Sequence, residues 1–288
     1  MGFSFSCRLP FRLAFGGLLL SLSAVSVARA QAASTAAATP PQGTSVSDEE
    51  EEEIEELAEE VGDRDPTYHR TRAVVRYDRR LFDGSASSDR LRLRFLYAFG
   101  PRQRFAVSFL EPLVQIDTRA ATARGAGDAE AQFNANVVYR SRFRAGVGLQ
   151  TTLPTSSDAL LGGATTTIKP SLEFAGVLSS RLELLASFYY KRSIHTSRGL
   201  PFDQFEPDVI LNARVFGATW FLEWDAFYDR LPGRIAHTLK PGVSRAFGPG
   251  RRWVGSAYYA VGVNDYARLS QYRDDAGVDV TWYPFKYR

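Results

Sequence analysis

The sequence is poor in the residues that carry covalent and metal chemistry. It holds one cysteine, one methionine and three histidines among 288 residues. The cysteine, Cys7, lies in a segment that reads as a cleavable leader. The mature chain is therefore expected to hold no disulfide, no thiolate metal site and no cysteine nucleophile. His69, His195 and His237 are scattered along the chain, so no metal-ligand spacing is present. Gly125-Ala126-Gly127 is too short for a nucleotide loop, and no helical pattern follows it. No cofactor or metal is expected. Long apolar runs are missing as well: nowhere do about 18 apolar residues follow one another, the length a membrane helix needs.

What is present begins with targeting. Arg8 and Arg12 precede an apolar run from Leu13 to Val27, and Ala28-Arg29-Ala30 is a small-x-small cleavage site before Gln31. Residues 1–30 are thus expected to be a signal peptide, cut after Ala30. Residues 31–65 form a second unit. Ala, Ser, Thr and Pro dominate up to Ser47, as in a flexible tether. Ser47-Asp48-Glu49-Glu50 then makes a capping box. Ile54, Leu57, Ala58 and Val61 fall on one narrow helical stripe. This acidic helix is either a solvated linker or a docking element. Between Asp48 and Asp65 the net charge is −11, and from Pro66 onward it is +11. The basic block is no nucleic-acid signature, because its arginines alternate with apolar residues and do not cluster.

Residues 66–288 follow one rhythm. In the hairpin Gly125–Thr155, Ala129, Ala131, Phe133, Ala135, Val137 and Tyr139 alternate with polar residues. After Arg140-Ser141-Arg142, Phe143, Ala145, Val147 and Leu149 alternate with Arg144, Gly146, Gly148 and Gln150. Alternation of period two marks a two-faced strand. Arms of about 11 residues suit a tilted crossing of a bilayer. The pattern recurs at about 70–82, 89–99, 103–114, 128–139, 143–153, 166–177, 181–193, 205–217, 219–229, 236–247, 252–263 and 274–285. The expected fold is all-β: a transmembrane antiparallel barrel of about twelve strands, preceded by the short acidic helix and linker. Short turns alternate with longer loops, the habit of barrels with periplasmic turns and external loops. The expected location is the cell outer membrane, with its lipids and the barrel-assembly machinery as partners and no nucleic acid.

The phase assigns the faces. Leu91, Leu93, Phe95 and Tyr97, and likewise Trp220, Leu222, Trp224 and Tyr228, are expected to face lipid. An Arg or Lys at the lipid midplane costs about 2–4 kcal/mol. Facing the lumen are Arg70, Arg72, Arg76, Arg90, Arg92, Arg94, Glu206, Asp208, Arg214, Glu223 and Asp225, with Lys169, Glu173, Asn212 and Asp279. The arginines gather on the first strands and the carboxylates on the eighth and ninth. Either wall-to-wall ion pairs close the interior, or a transverse field orients solutes. Aromatic residues beside the short turns (Phe99, Tyr139, Phe143, Phe216, Trp220, Phe247 and Trp253) read as an interfacial girdle.

Gly125-Ala126-Gly127-Asp128, Leu153-Pro154-Thr155 and Pro170-Ser171-Leu172 resemble the outer-membrane proteins of the phenol-degradation meta-pathway family. That resemblance implies a transporter-like barrel for small, often aromatic or hydrophobic compounds. Two other functions stay open. His195-Thr196-Ser197 resembles the His-x-Ser at the rim of outer-membrane lipid hydrolases and deacylases, with Glu206 or Asp208 to orient the histidine. A structural, non-conducting barrel is the third.

Overall fold

The computed structural model describes residues 57–58, 64–156, 158, 160–162, 165–196 and 201–285. The leader, the tether, most of the acidic helix and Ser197 lie outside the described residues.

Twelve antiparallel strands close into one ring. They are β1 (Arg72–Leu81), β2 (Ser87–Phe99), β3 (Phe105–Asp117), β4 (Thr122–Ala126 and Ala129–Arg140), β5 (Phe143–Leu153) and β6 (Thr165–Ser179), then β7 (Leu182–Thr196), β8 (Asp203–Val215), β9 (Ala218–Asp229), β10 (Arg234–Phe247), β11 (Trp253–Gly262) and β12 (Asp274–Trp282). Each strand pairs with its sequence neighbour, and β12 returns to β1 with Ala73 opposite Trp282 and Leu81 opposite Asp274. Closure removes every free sheet edge, the condition for a sheet to stand in lipid. A helix of six residues, α1 (Asp265–Ser270), caps the last loop, its first turn held by the Asn264 side chain, which accepts from Ala267 N at 3.0 Å.

The alternation of faces follows the sequence. Leu93, Phe95 and Tyr97 of β2 and Trp220, Leu222 and Trp224 of β9 are exposed on the outside. Aromatic rings gather at the turn end: Phe99 stacks on Phe105 at 5.7 Å and Trp253 on Trp282 at 6.0 Å. Tyr139 is an exception. A bulge between Asn136 and Val138 shifts the register and places Tyr139 opposite Arg144, on the inner face. One inserted residue flips the parity of everything beyond it.

Loop lengths depart from expectation. The turns at 100–104, 141–142, 180–181, 216–217 and 248–252 share one end with the segment before β1. At the other end, 118–121 and 230–233 are as short as the longer turns. The strict alternation of short and long is therefore overturned. The expected loop at 115–127 is largely strand, because Thr122–Ala126 pairs with Leu113–Asp117. Two of the turns share a geometry: Gly100 (φ 79°) and Gly248 (φ 77°) each precede a proline, a left-handed entry that glycine adopts without strain.

The β3–β4 ladder is broken once. Pro112 has no N–H to donate, and Gly127-Asp128 separates the two pieces of β4. Gly127 N donates instead to Pro112 O at 2.7 Å. Thr155 fastens the break, its hydroxyl accepting from Ala129 N at 2.8 Å and donating to Gly127 O at 3.2 Å. Asp128 accepts from Ser156 N at 3.1 Å. The Gly125–Asp128 and Leu153–Thr155 motifs thus meet in space. Pro284 follows the end of β12, as its missing N–H requires.

Candidate functional site: the lumen and the segment that crosses it

Residues Arg64 to Thr71 do not lie outside the barrel. They run into the ring at its turn end and are almost wholly buried: Asp65 and Thr67 are 0% exposed and His69 is 4%. The local shape is an Asx turn. Asp65 Oδ1 accepts from Thr67 N at 2.8 Å and from the Thr67 hydroxyl at 2.7 Å. The wall then receives the segment at several strands. Arg144 of β5 is the centre of this contact. Its Nη2 lies 2.7 Å from Asp65 Oδ2 and 2.6 Å from Glu183 Oε1 of β7, and its Nε donates to the Thr67 hydroxyl at 3.2 Å. Asn136 Nδ2 donates to Thr67 O at 2.8 Å. On the far wall Arg64 meets Asp279 of β12 at 3.4 Å and lies 3.8 Å over the ring of Phe221 of β9.

A glycine in the wall leaves room for a polar cluster beside the segment. A Cβ on Gly148 of β5 would stand 2.3 Å from Ser171 Oγ and 2.9 Å from Glu173 Oε1. That space holds a cluster in which Asn134 Nδ2 donates to Glu173 Oε2 at 2.8 Å and the Ser171 hydroxyl donates to Oε1 at 2.8 Å. His69 closes the turn end. Its Nδ1 is 3.2 Å from Gln103 O and its Nε2 3.0 Å from Pro66 O. Burial holds its pKa below the ordinary 6.5, with Arg72 adding to the effect, against the pull of Asp65 and the two carbonyls. Leu57 and Ala58, two members of the expected apolar stripe, are helical and buried, at 0% and 1% exposure.

The predicted lumen residues divide into two walls. Arg72, Arg76, Arg90, Arg92, Arg94, Glu206, Asp208, Arg214, Glu223 and Asp225 all fall on the inner phase of their strands; Arg70 lies just before β1 and is buried. Asp78, which was not picked out in the sequence, gathers the arginines: Arg90 lies 2.5 Å and Arg80 3.7 Å from it, and Arg92 also bonds to it. Opposite, Lys169 pairs with Glu206, and Lys240 with Glu223. Asp208, Glu223 and Asp225 bring carboxylate oxygens within 4.8 Å of one another. These pairs join strands of the same wall. Among the described residues, the segment bridges the two walls, with Asp65 on Arg144 and Arg64 on Asp279.

Among the described residues, two cavities open into the lumen. One of about 140 Å³ lies among Arg64, Arg76, Arg94, Glu223 and Lys240. One of about 310 Å³ lies toward the loop end beside Arg90, Arg92, Arg94, Leu110 and Val114. Arg94 lines both, and Arg64 lines the inner one.

Of the alternative rim chemistry, the two candidate orienting carboxylates lie away from His195. His195 is exposed near the end of β7, and Ser197 lies outside the described residues. Glu206 stands opposite Tyr189 and bonds to Lys169. That is six residues, or about 20 Å of strand, from His195. Asp208 is further still.

No family model and no curated protein matches the chain. Solved structures do. An outer membrane channel from Pseudomonas putida F1 superposes with a TM-score of 0.63 at 13% identity, over 77% of this chain and 98% of that one. The fold is that of outer-membrane β-barrel channels. The NanC porin matches at TM-score 0.53 and 13% identity, over 73% of this chain and 98% of its own. The KdgM porin in complex with disordered oligogalacturonate matches at 0.50 and 13%, over 75% and 99%. Each likeness spans nearly the whole neighbour, so the complete ring is shared and not a few hairpins.

Proposed function

We propose that this chain is an outer-membrane channel for small molecules, closed at rest by its own N-terminal segment. The observation that carries the reading is the buried run Arg64–Thr71 crossing the ring, with lumen cavities on its loop side. In this reading the leader directs export, the chain is cut after Ala30, and the assembly machinery inserts the ring with turns periplasmic and loops external. Arginine and carboxylate walls give the opened lumen a transverse field. Twelve strands enclose less space than the 16–18 of aqueous porins, so the passage is selective and not general. The resemblance carried by Gly125–Asp128, Leu153–Thr155 and Pro170–Leu172 extends the proposal to hydrophobic or aromatic solutes. The test is solute uptake into liposomes together with planar-bilayer current, for the wild type and for Asp65→Asn. A closed channel gives rare openings in the wild type and frequent ones in the variant. Silence of both proteins toward ions and solutes would leave the reading untenable and favour a structural barrel.

A further inference from the structure

Two turns of the ring carry one motif. Phe99-Gly100-Pro101-Arg102-Gln103-Arg104-Phe105 joins β2 to β3, and Phe247-Gly248-Pro249-Gly250-Arg251-Arg252-Trp253 joins β10 to β11. In each, the closing ring lies over the glycine. A Cβ on Gly100 would stand 2.8 Å from the Phe105 ring, and one on Gly248 would stand 3.0 Å from that of Trp253. The ladders beside the turns share a register, with Phe99 opposite Phe105 and Phe247 opposite Trp253. They differ one outward pair deeper. The first turn has Tyr97 opposite Val107 there; the second has Arg245 opposite Gly255.

Arg245 thus stands on the lipid-facing phase of β10, with Val243 and Phe247, and it is exposed. It lies two residues, or about 7 Å of strand, deeper than the girdle ring of Phe247. A cation is tolerated near the interface and costly toward the midplane. The adjoining sequence offers no carboxylate: no acidic residue occurs in 241–260, in 215–222 on β9 or in 280–285 on β12. The surroundings are aromatic instead. Phe247 and Trp253 lie toward the turn, Trp282 pairs with Trp253, and Trp220 stands opposite Val243. Gly255 lets the Phe247 ring lean onto the sheet, since a Cβ there would stand 3.2 Å from it. Arg252, exposed in the turn, adds a second guanidinium at the same end. The turns at this end of the ring hold six arginines and no acidic residue, whereas the opposite loops hold Asp83, Asp158 and Asp265 as well as arginines. A guanidinium fork matches a phosphate. A long cationic side chain reaches the head-group layer from below, and aromatic rings sit at that level.

We propose that Arg245, with Arg252, holds the phosphate of an anionic phospholipid of the turn-side leaflet, its acyl chains lying against Phe247, Trp253 and Trp282. The twin turn, with Tyr97 and Val107 in the corresponding places, lacks the site. The site is independent of conduction, because it lies on the outer face of the ring.

The test places the full-length barrel in phosphatidylcholine vesicles that contain rising shares of brominated phosphatidylglycerol or brominated phosphatidylcholine. The four tryptophans, Trp220, Trp224, Trp253 and Trp282, lie on β9, β11 and β12 around β10. Quenching of their fluorescence therefore reads the lipid beside the site. One arginine near a bilayer surface supports a preference of about fivefold for an anionic lipid. The brominated phosphatidylglycerol is expected to be preferred at least fivefold. Arg245→Gln is expected to cut the preference at least threefold, and Arg245→Lys to keep most of it. Arg102→Gln, at the twin turn, is expected to change it less than twofold. Folding of each variant is checked by its heat-dependent gel mobility. Equal quenching by the two lipids, or a preference unmoved by Arg245→Gln, would overturn the site. Equal losses in Arg245→Gln and Arg102→Gln would overturn it too, because they mark diffuse surface charge.

Discussion

Replacing Arg144 by methionine is expected to open the barrel without unfolding it. The side chain is 4% exposed, and the two carboxylates it serves, on Asp65 and Glu183, are 0% exposed. Removing the cation leaves two buried negative charges facing each other across the vacated place. Breaking a buried pair in this way costs about 3–5 kcal/mol. The ring has a cheaper response than unfolding. Glu183 keeps Asn212 Nδ2 at 3.3 Å, but Asp65 is relieved only when its segment leaves the lumen and the carboxylate meets water. If about 2 kcal/mol of the cost is recovered in this way, openings become roughly thirtyfold more frequent. Single-channel recording in planar bilayers reads that ratio directly. Arg144→Lys keeps the charge but loses the planar fork, and a much smaller increase is expected. An Arg144→Met barrel that is folded by gel mobility and opens no more often than the wild type would refute the reasoning.

Other perturbations test other parts of the account. Leu222→Arg places a cation on the lipid face of β9 and is expected to lower stability by about 2–4 kcal/mol in urea titrations followed by tryptophan fluorescence; no loss would place that face away from lipid. Neutralising Glu223 deprives Lys240 of its partner, so Glu223→Gln is expected to move the reversal potential in a KCl gradient toward anion preference, and Arg92→Gln toward cation preference. Identical reversal potentials would remove the transverse field. Acid is expected to favour opening. In the closed state burial, with Arg72, holds the His69 pKa below its ordinary 6.5. A released segment takes up the proton first, so the closed state loses support as pH falls through about 6.5 toward the depressed value and keeps it at higher pH. More frequent openings at pH 5.5 than at 7.5, flattened in His69→Gln, fit this; fewer openings in acid contradict it.

The ring was legible because each strand states its own phase. Leu91 to Tyr97 and Trp220 to Tyr228 alternate with charged residues, and lipid tolerates no other phase. Bulges were not legible, and one of them turned Tyr139 inward against its apparent parity. The extension of β3 and β4 beyond Val114 was hidden as well, because Thr118–Ala121 reads as loop on both sides. The lumen residues followed from phase, but their partners did not. Asp78 is a single acid among arginines in sequence, and only the register of β1 against β2 brings Arg90 and Arg92 to it. Arg144 and Glu183 carried the inward phase without any sign of a shared partner. Asp65 belongs to a stretch with no period at all, and its contact with Arg144 spans 79 positions. The acidic composition of 48–65 hinted that this stretch docks, though not where.

The decisive measurement is a reversible lock on the segment. Thr67 O accepts from Asn136 Nδ2 at 2.8 Å, which brings positions 67 and 136 into reach of a short cross-link. The sequence has one cysteine, Cys7. Thr67→Cys with Asn136→Cys in a Cys7→Ser background therefore offers one pair to cross-link. With Arg144→Met added to favour opening, the locked barrel is expected to be silent, and reduction of a disulfide-containing cross-linker is expected to restore current and solute uptake. Current and uptake that persist at the same level in the locked barrel would contradict the claim that the segment must leave for the channel to open.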